Sequence, residues 1–327
     1  MAAADQIKSL IKAFGDSDEG RFYSSAMQIA ASEARHGHSA FARELKDLIE
    51  SAKKTRSTRE FDSAKTIHIS PQKRELNELL DIFHPRINLS NMVLPDEVKL
   101  KLKAVISEQK KWELLQHHNL SPKRKLLLIG PPGTGKTMTA QAIAGELNIP
   151  VFIIRLDGLL SKYMGESIAK LRMIFDLMPN QRGVYLFDEF DSIGSHRSQG
   201  FEVGEIKRVL NSFLINIEKD QSNSIIIAAT NLPNALDKAL FRRFDDIINY
   251  PLPNKKEIIG TIRKCTEAYS FEQKLDYNEL ANSATSLNYS DISKMCDETI
   301  KFMILNDQKF LNKDVLISAL KSRRHDA

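Results

Sequence analysis

The segment Gly130-Pro131-Pro132-Gly133-Thr134-Gly135-Lys136-Thr137 fits the pattern GxxxxGK[ST], follows directly on the apolar run Leu126 to Ile129, and leads into residues with helical spacing. That context gives the pattern its chemistry. Glycines let main-chain N–H groups wrap a run of phosphates, and the start of a helix adds partial positive charge. Lys136 bridges phosphate oxygens, and the Thr137 hydroxyl reaches a magnesium ion. About fifty residues on, Val184-Tyr185-Leu186-Phe187-Asp188-Glu189 is an apolar run that closes in two carboxylates. In a parallel sheet this end of the strand opens on the same crevice as the glycine-rich loop. Asp188 then holds Mg2+ through water, and Glu189 polarises the attacking water as general base. The cofactors implied are ATP and Mg2+. No HExxH occurs: His68 sits between two isoleucines, and neither His117 nor His118 is followed by glutamate. Gly-x-Ser-x-Gly is absent too, which leaves ATP hydrolysis as the chemistry the residues support.

Such residues need a sheet to hold them. From Lys125 onward short apolar runs (LLLIG, VFIIR, GVYLFDE, SIIIAATN, DIINYPLP) alternate with helical segments near Thr137 to Leu147, Glu166 to Met178, Val203 to Glu218 and Leu236 to Phe241. Strict alternation predicts an α/β fold, a parallel five-stranded P-loop sheet with helices on both faces. After Pro253 the strands stop, and four helices follow near 254–268, 278–287, 291–305 and 313–322. Upstream, residues 4 to about 54 read as three short helices, 54–69 as a polar linker, Ser70-Pro71 as the start of a helix running to about Phe83, and Pro95-Asp96-Glu97 as the opening of another to about His118. The expected organisation is a helical N-terminal docking module over 1–54, a linker with one helix over 55–87, a large α/β nucleotide-binding domain over 88–253, and a small all-α lid over 254–327.

GPPGTGKT, then LFDEFDSIG, then IIIAATNLP at these intervals resembles the AAA+ ATPases, and within them the subgroup of katanin, spastin and the sorting-complex disassembly ATPases. The resemblance runs from roughly Asn88 to the C-terminus. It implies that Asn231 is the amide that orients the catalytic water and senses the γ-phosphate. It also implies that Arg242 and Arg243, in Phe241-Arg242-Arg243-Phe244-Asp245, are arginine fingers. Fingers of this kind reach a neighbouring subunit's nucleotide in trans, which requires a homo-oligomeric ring, a hexamer in this family. Ser161-Lys162-Tyr163-Met164-Gly165-Glu166-Ser167 resembles the central pore loop, with Lys162, Tyr163 and Met164 gripping an extended polypeptide substrate. Gly200-Phe201-Glu202-Val203-Gly204 would be a second pore loop. One departure stands out. Where the family carries Ser-Gly-Ala-Asp at the start of a lid helix, this chain has Tyr289-Ser290-Asp291-Ile292, shorter by two residues, which puts lid contacts to nucleotide in question.

With 327 residues, 42% of them hydrophobic and 27% charged, and with 14 Gly and 11 Pro, the composition is that of a globular chain of about two domains. The two cysteines, Cys265 and Cys296, supply neither a disulfide framework nor a zinc site and read as reduced thiols. The N-terminus lacks a signal-like apolar segment and no run approaches a membrane span, so the expectation is a cytoplasmic protein without membrane insertion. A net charge of +5 permits nucleic-acid contact without arguing for it. The sequence reading is thus a ring motor that remodels, unfolds or disassembles a protein partner recruited by the N-terminal helices. Its alternatives are a nucleic-acid loader or helicase on the same core, and a nucleotide-gated scaffold without turnover. A DNA machine needs a basic channel, whereas the expected pore residue is an aromatic flanked by Met and Gly.

Overall fold

A computed structural model of the chain describes residues 25–27, 29, 30, 32, 41–49, 76, 79–159, 165–191, 203–233, 238–272 and 275–324. The chain divides into two compact units, 1–69 and 70–327. In the first, the described residues, 41–49 among them, are helical, with Ala26, Ala30, Ala42 and Ile49 buried. The remainder of the three expected N-terminal helices, and the linker after them, lie outside the described residues.

The second unit carries six strands and eleven α-helices among its described residues. Chain order is β1 (Leu80–Phe83), α1 (Asp96–Lys110), α2 (Trp112–His117), β2 (Lys125–Ile129), α3 (Lys136–Leu147), β3 (Val151–Ile154), α4 (Leu156–Leu159), α5 (Glu166–Leu177) and β4 (Val184–Phe187). There follow α6 (Val203–Lys219), β5 (Ile225–Thr230), α7 (Lys238–Phe241), β6 (Asp246–Asn249), α8 (Lys255–Cys265), α9 (Tyr277–Ser283), α10 (Tyr289–Leu305) and α11 (Lys313–Arg324). The sheet order is β1-β3-β4-β5-β2-β6, parallel throughout except for β1, which runs antiparallel to β3.

All five expected strands form. The sixth, β1, replaces the end of the helix expected to reach Phe83. Leu76, Leu79, Leu80 and Phe83 do recur at helical spacing, but β3 would otherwise be left with an open edge, and the residues before His84-Pro85 are biased toward extended backbone. Leu80 pairs with Ile154 and Phe83 with Val151, and Asp81 binds the Arg155 guanidinium at 2.6 and 2.9 Å. The sheet is therefore mixed and six-stranded. The single helix expected to reach His118 breaks at Lys111 into α1 and α2.

Every residue of β4 and β5 is buried, as a central parallel strand covered on both faces requires. Alternate residues feed two cores. Leu127, Tyr185, Phe187 and Ile226 meet Phe175 of α5 and Phe213 of α6 on one face, while Leu126, Leu128, Leu186 and Ile227 meet Val105 of α1 and Ile143 of α3 on the other. Helices α8 to α11 enclose a third core around Ile258, Ile262, Met295 and Leu316. Their first helix is fixed by a capping box in which Asn254 Oδ1 accepts from Glu257 N–H and Glu257 Oε2 accepts from Asn254 N–H.

Candidate active site

The loop after β2 can turn back on itself because Gly133 and Gly135 take φ of +72° and +95°, values that cost an L side chain strain. Gly130 tolerates no Cβ for another reason: one built there would lie 2.2 Å from the Tyr250 carbonyl oxygen. The N–H groups of Gly133, Thr134 and Gly135 find no acceptor among the described residues, and they stand at the N-terminus of α3. Unpaired donors joined to a helix start form an anion cradle.

Lys136, 7% exposed, crosses this loop. Its ammonium donates to Gly130 O and Pro131 O, both at 2.8 Å, and to Asn231 Oδ1 at 2.7 Å. Burial lowers its pKa, opposed by the charges of Asp188 and Asp191. An ammonium destabilised in this way gains when anionic oxygens replace carbonyls around it.

Phe187 and Phe190 flank the two carboxylates and both pack on Phe213, with ring centroids 5.0 and 4.7 Å away. Pinned on either side, the strand end delivers Asp188 to the loop, where Oδ2 accepts from the Thr137 hydroxyl at 2.5 Å. Two oxygen donors this close beside a phosphate cradle suit a hard divalent cation that keeps most of its water, so Thr137 and Asp188 fit Mg2+. Glu189 is exposed and adopts φ +48°, a conformation that non-glycine residues enter at a cost of order 1–3 kcal/mol.

Asp191 was missed by sequence reasoning. Its Oδ1 accepts from Thr230 Oγ1 at 2.9 Å and from Asn231 N–H at 3.0 Å, tying the end of β5 to the turn after β4. The third acid of LFDEFDS was its available signal, although no spacing rule singles it out. Sequence reading also missed the contact between lid and loop. Asn288 caps α10 by accepting from Asp291 N–H at 2.9 Å, Ser290 N–H donates to the Gly133 carbonyl at 3.1 Å, and a Cβ on Gly133 would meet the Asn288 side chain. Asn288 thus supplies the capping residue of a helix that starts at Tyr289.

Arg242 and Arg243 sit on the turn before β6, both exposed. Arg243 pairs with Glu218 on α6, whereas Arg242 has no partner among the described residues. Because β6 runs parallel to β2 with Asp246 opposite Leu126, the arginines lie at the strands' N-terminal edge, and the loop lies at the C-terminal edge. The structure therefore brings together Lys136, Thr137, Asp188, Glu189 and Asn231, and leaves both arginines a strand's length away. Lys162, Tyr163 and Met164 lie outside the described residues, as does Gly200–Glu202 of the second expected pore loop.

Comparison with known proteins agrees with this geometry. The profile described as "ATPase family associated with various cellular activities (AAA)" matches residues 126–252. An uncharacterized AAA family ATPase of Sinorhizobium fredii, y4kL, is 31% identical over 94% of this chain and 92% of its own length. The chain belongs to the AAA family of ATPases. Further relatives of this AAA protein are the proteasome-activating nucleotidase of Methanoregula boonei, 31% identical over 71% of this chain, and the peroxisomal ATPase pex6 of Schizosaccharomyces pombe, 32% identical over 72%. The chain spans 55% of the former and 26% of the latter. These relatives establish the family without singling out katanin and spastin. The AAA chain is accordingly an ATP-binding ATP hydrolase. Among its described residues no helix is long and apolar enough to cross a membrane, and no cluster of three or more His, Cys, Asp or Glu could hold a metal ion.

Proposed function

We propose that this AAA ATPase works as a ring, a hexamer of identical chains in which each subunit's arginines complete the next subunit's site, and that hydrolysis drives remodelling of a protein partner. The observation that carries the reading is the separation of Arg242 and Arg243 from the loop of their own chain. Strand β2 is five residues long, and at roughly 3.3 Å per residue the two edges of the sheet stand on the order of 15 Å apart. Neither guanidinium can span that gap to a γ-phosphate held by Lys136 of the same chain. Exposed, with Arg242 unpaired among the described residues, they suit a phosphate presented by a second copy.

Within one site, each chain group has a task. Bound there, ATP supplies the phosphoanhydride and Mg2+ the charge that draws electrons from it. Lys136 exchanges two loop carbonyls for phosphate oxygens. Thr137 and Asp188 hold the cation, and Glu189 takes a proton from the attacking water. Asn231, released by Lys136 and held through its backbone by Asp191, orients that water with its amide. Contact of Ser290 and Asn288 with Gly133 carries the state of the loop to the lid. Lys162, Tyr163 and Met164 would move with the ring and pull the substrate polypeptide, recruited by the N-terminal helices. Relatives named for activating a proteasome and for the peroxisome are consistent with work on proteins.

The deciding experiment measures ATP hydrolysis per subunit against protein concentration, alongside mass by light scattering. Turnover that appears only as oligomers form supports the reading. Full turnover by a monomer at every dilution would overturn it.

A further inference from the structure

The chain's only two cysteines pack into one core of the lid. Cys265 closes α8 and Cys296 lies midway along α10, two helices that pack against each other in the lid. The Cys265 thiol donates toward Ser293 Oγ at 3.7 Å, one turn before Cys296 on the same face of α10, and Cys265 packs against the buried cluster that holds Cys296. Both thiols are free. Their exposure differs: Cys296 is fully buried in the lid core, whereas Cys265 is partly open to solvent. We infer that Cys265 and Cys296 form a reversible intrachain disulfide, an oxidation site that clamps α8 to α10 and acts through α10 on the phosphate loop.

The roles follow from the surroundings. The Cys296 thiol beside it favours the Cys265 thiolate and holds its pKa below the usual thiol range, aided by the charge of Lys264 and opposed by burial and Asp297. The neighbouring Cys265 and burial push the Cys296 thiol up and keep it protonated. A thiolate with access to solvent is the form that peroxides attack. With hydrogen peroxide as oxidant, the Cys265 sulfur attacks one peroxide oxygen, the O–O bond breaks, hydroxide leaves, and Cys265 becomes a sulfenic acid. Cys296 then attacks that sulfur. The S–S bond forms as the S–O bond breaks, and the hydroxide leaves with the thiol proton as water. A dithiol such as dithiothreitol reverses the oxidation by exchange.

A clamp here can be felt at the site. Helix α10 begins at Tyr289, and the residues that open it, Asn288 and Ser290, touch Gly133. Fixing α10 against α8 limits the freedom of that contact, and with it the loop's freedom to open around nucleotide.

The test treats the full chain with hydrogen peroxide, alkylates the remaining thiols, and measures intact mass. Expected is a loss of two hydrogen masses with neither cysteine alkylated, together with a peptide pair joining Cys265 to Cys296 that dithiothreitol separates. Two alkylated cysteines after treatment, or a disulfide between chains, would overturn the inference. In Cys296→Ala, and in Cys296→Ser should the alanine variant fold poorly, oxidation should stop at a dimedone-trapped sulfenic acid on Cys265. Equal trapping on Cys296 in Cys265→Ser would refute the assigned order. ATP hydrolysis by the oxidised wild type should change at least about threefold and recover with dithiothreitol, while the single variants stay insensitive to peroxide. A disulfide that forms without altering the rate would refute the link to the phosphate loop. The mass readout is independent of ring assembly, so its failure and that of the motor reading are separable.

Discussion

The ammonium of Lys136 donates to Asn231 Oδ1 at 2.7 Å, joining the residue proposed to grip phosphate to the residue proposed to sense it. With Gly130 O and Pro131 O as its other acceptors, Lys136 has all three protons committed within the chain. Phosphate oxygens can enter only by displacing such partners, and displacement frees the Asn231 amide to face water. In the proposed mechanism, binding and sensing are thus one exchange of hydrogen bonds.

Lys136→Ala should abolish ATP binding, because the loop loses its only buried cation. Asn231→Ala should keep ATP affinity within about threefold while hydrolysis falls at least ~10-fold, the cost of one preorganised polar group acting on the reacting centre. A fluorescent ATP analogue measures the first quantity and phosphate release the second. Tight binding by Lys136→Ala would contradict the loop assignment.

Glu189 pays in backbone strain for its place beside Asp188. Glu189→Gln should bind ATP, hydrolyse it at least ~10²-fold more slowly, and accumulate in assembled form. Glu189→Gly should be equally inactive yet more stable by about 1 kcal/mol, since glycine adopts φ +48° without penalty. Thermal melting of the two variants in parallel checks this, and a glycine variant no more stable than wild type would remove strain from the account.

Asp191 acts through Asn231 and touches no reacting atom. Asp191→Ala leaves the Asn231 N–H and the Thr230 hydroxyl without an acceptor, a loss of about 1–3 kcal/mol in stability. Its kinetic signature should be a lower kcat at nearly unchanged KM, with Asp191→Asn recovering part of the rate because its amide oxygen still accepts. A purely structural Asp191 would lower the melting temperature and leave the kcat of the folded fraction intact.

The residues that were legible in the sequence are those whose chemistry is local. Gly130 to Thr137 declare themselves because a phosphate cradle is built from consecutive backbone, and Asp188-Glu189 because an apolar strand must end where they begin. The four interior strands read clearly because burial on both faces leaves unbroken apolar runs such as Ile225 to Ala229. What was illegible depends on partners distant in the chain. The extended state of Leu80 to Phe83 is decided by the open edge of Val151–Ile154, which overrides a helical spacing of leucines. Asp191 matters only because Asn231 arrives beside it, and Asn288 only because the lid folds back on Gly133. Nor could spacing alone bring Cys265 to Cys296.

Arg243 offers the sharpest test of a shared site, because among the described residues its side chain pairs only with the exposed Glu218, worth under about 1 kcal/mol. Arg243→Ala should therefore melt within a few degrees of wild type while losing most hydrolysis, a combination expected of a residue that serves another subunit. Lys136→Ala alone should be inactive as well. In mixed assemblies of the two variants, an intact Arg243 from a Lys136→Ala subunit can face an intact loop from an Arg243→Ala subunit. ATP hydrolysis should accordingly rise above that of either variant alone and peak at an intermediate ratio. Mixed assemblies confirmed by mass, yet no more active than their parts at any ratio, would place the arginine outside the neighbour's site.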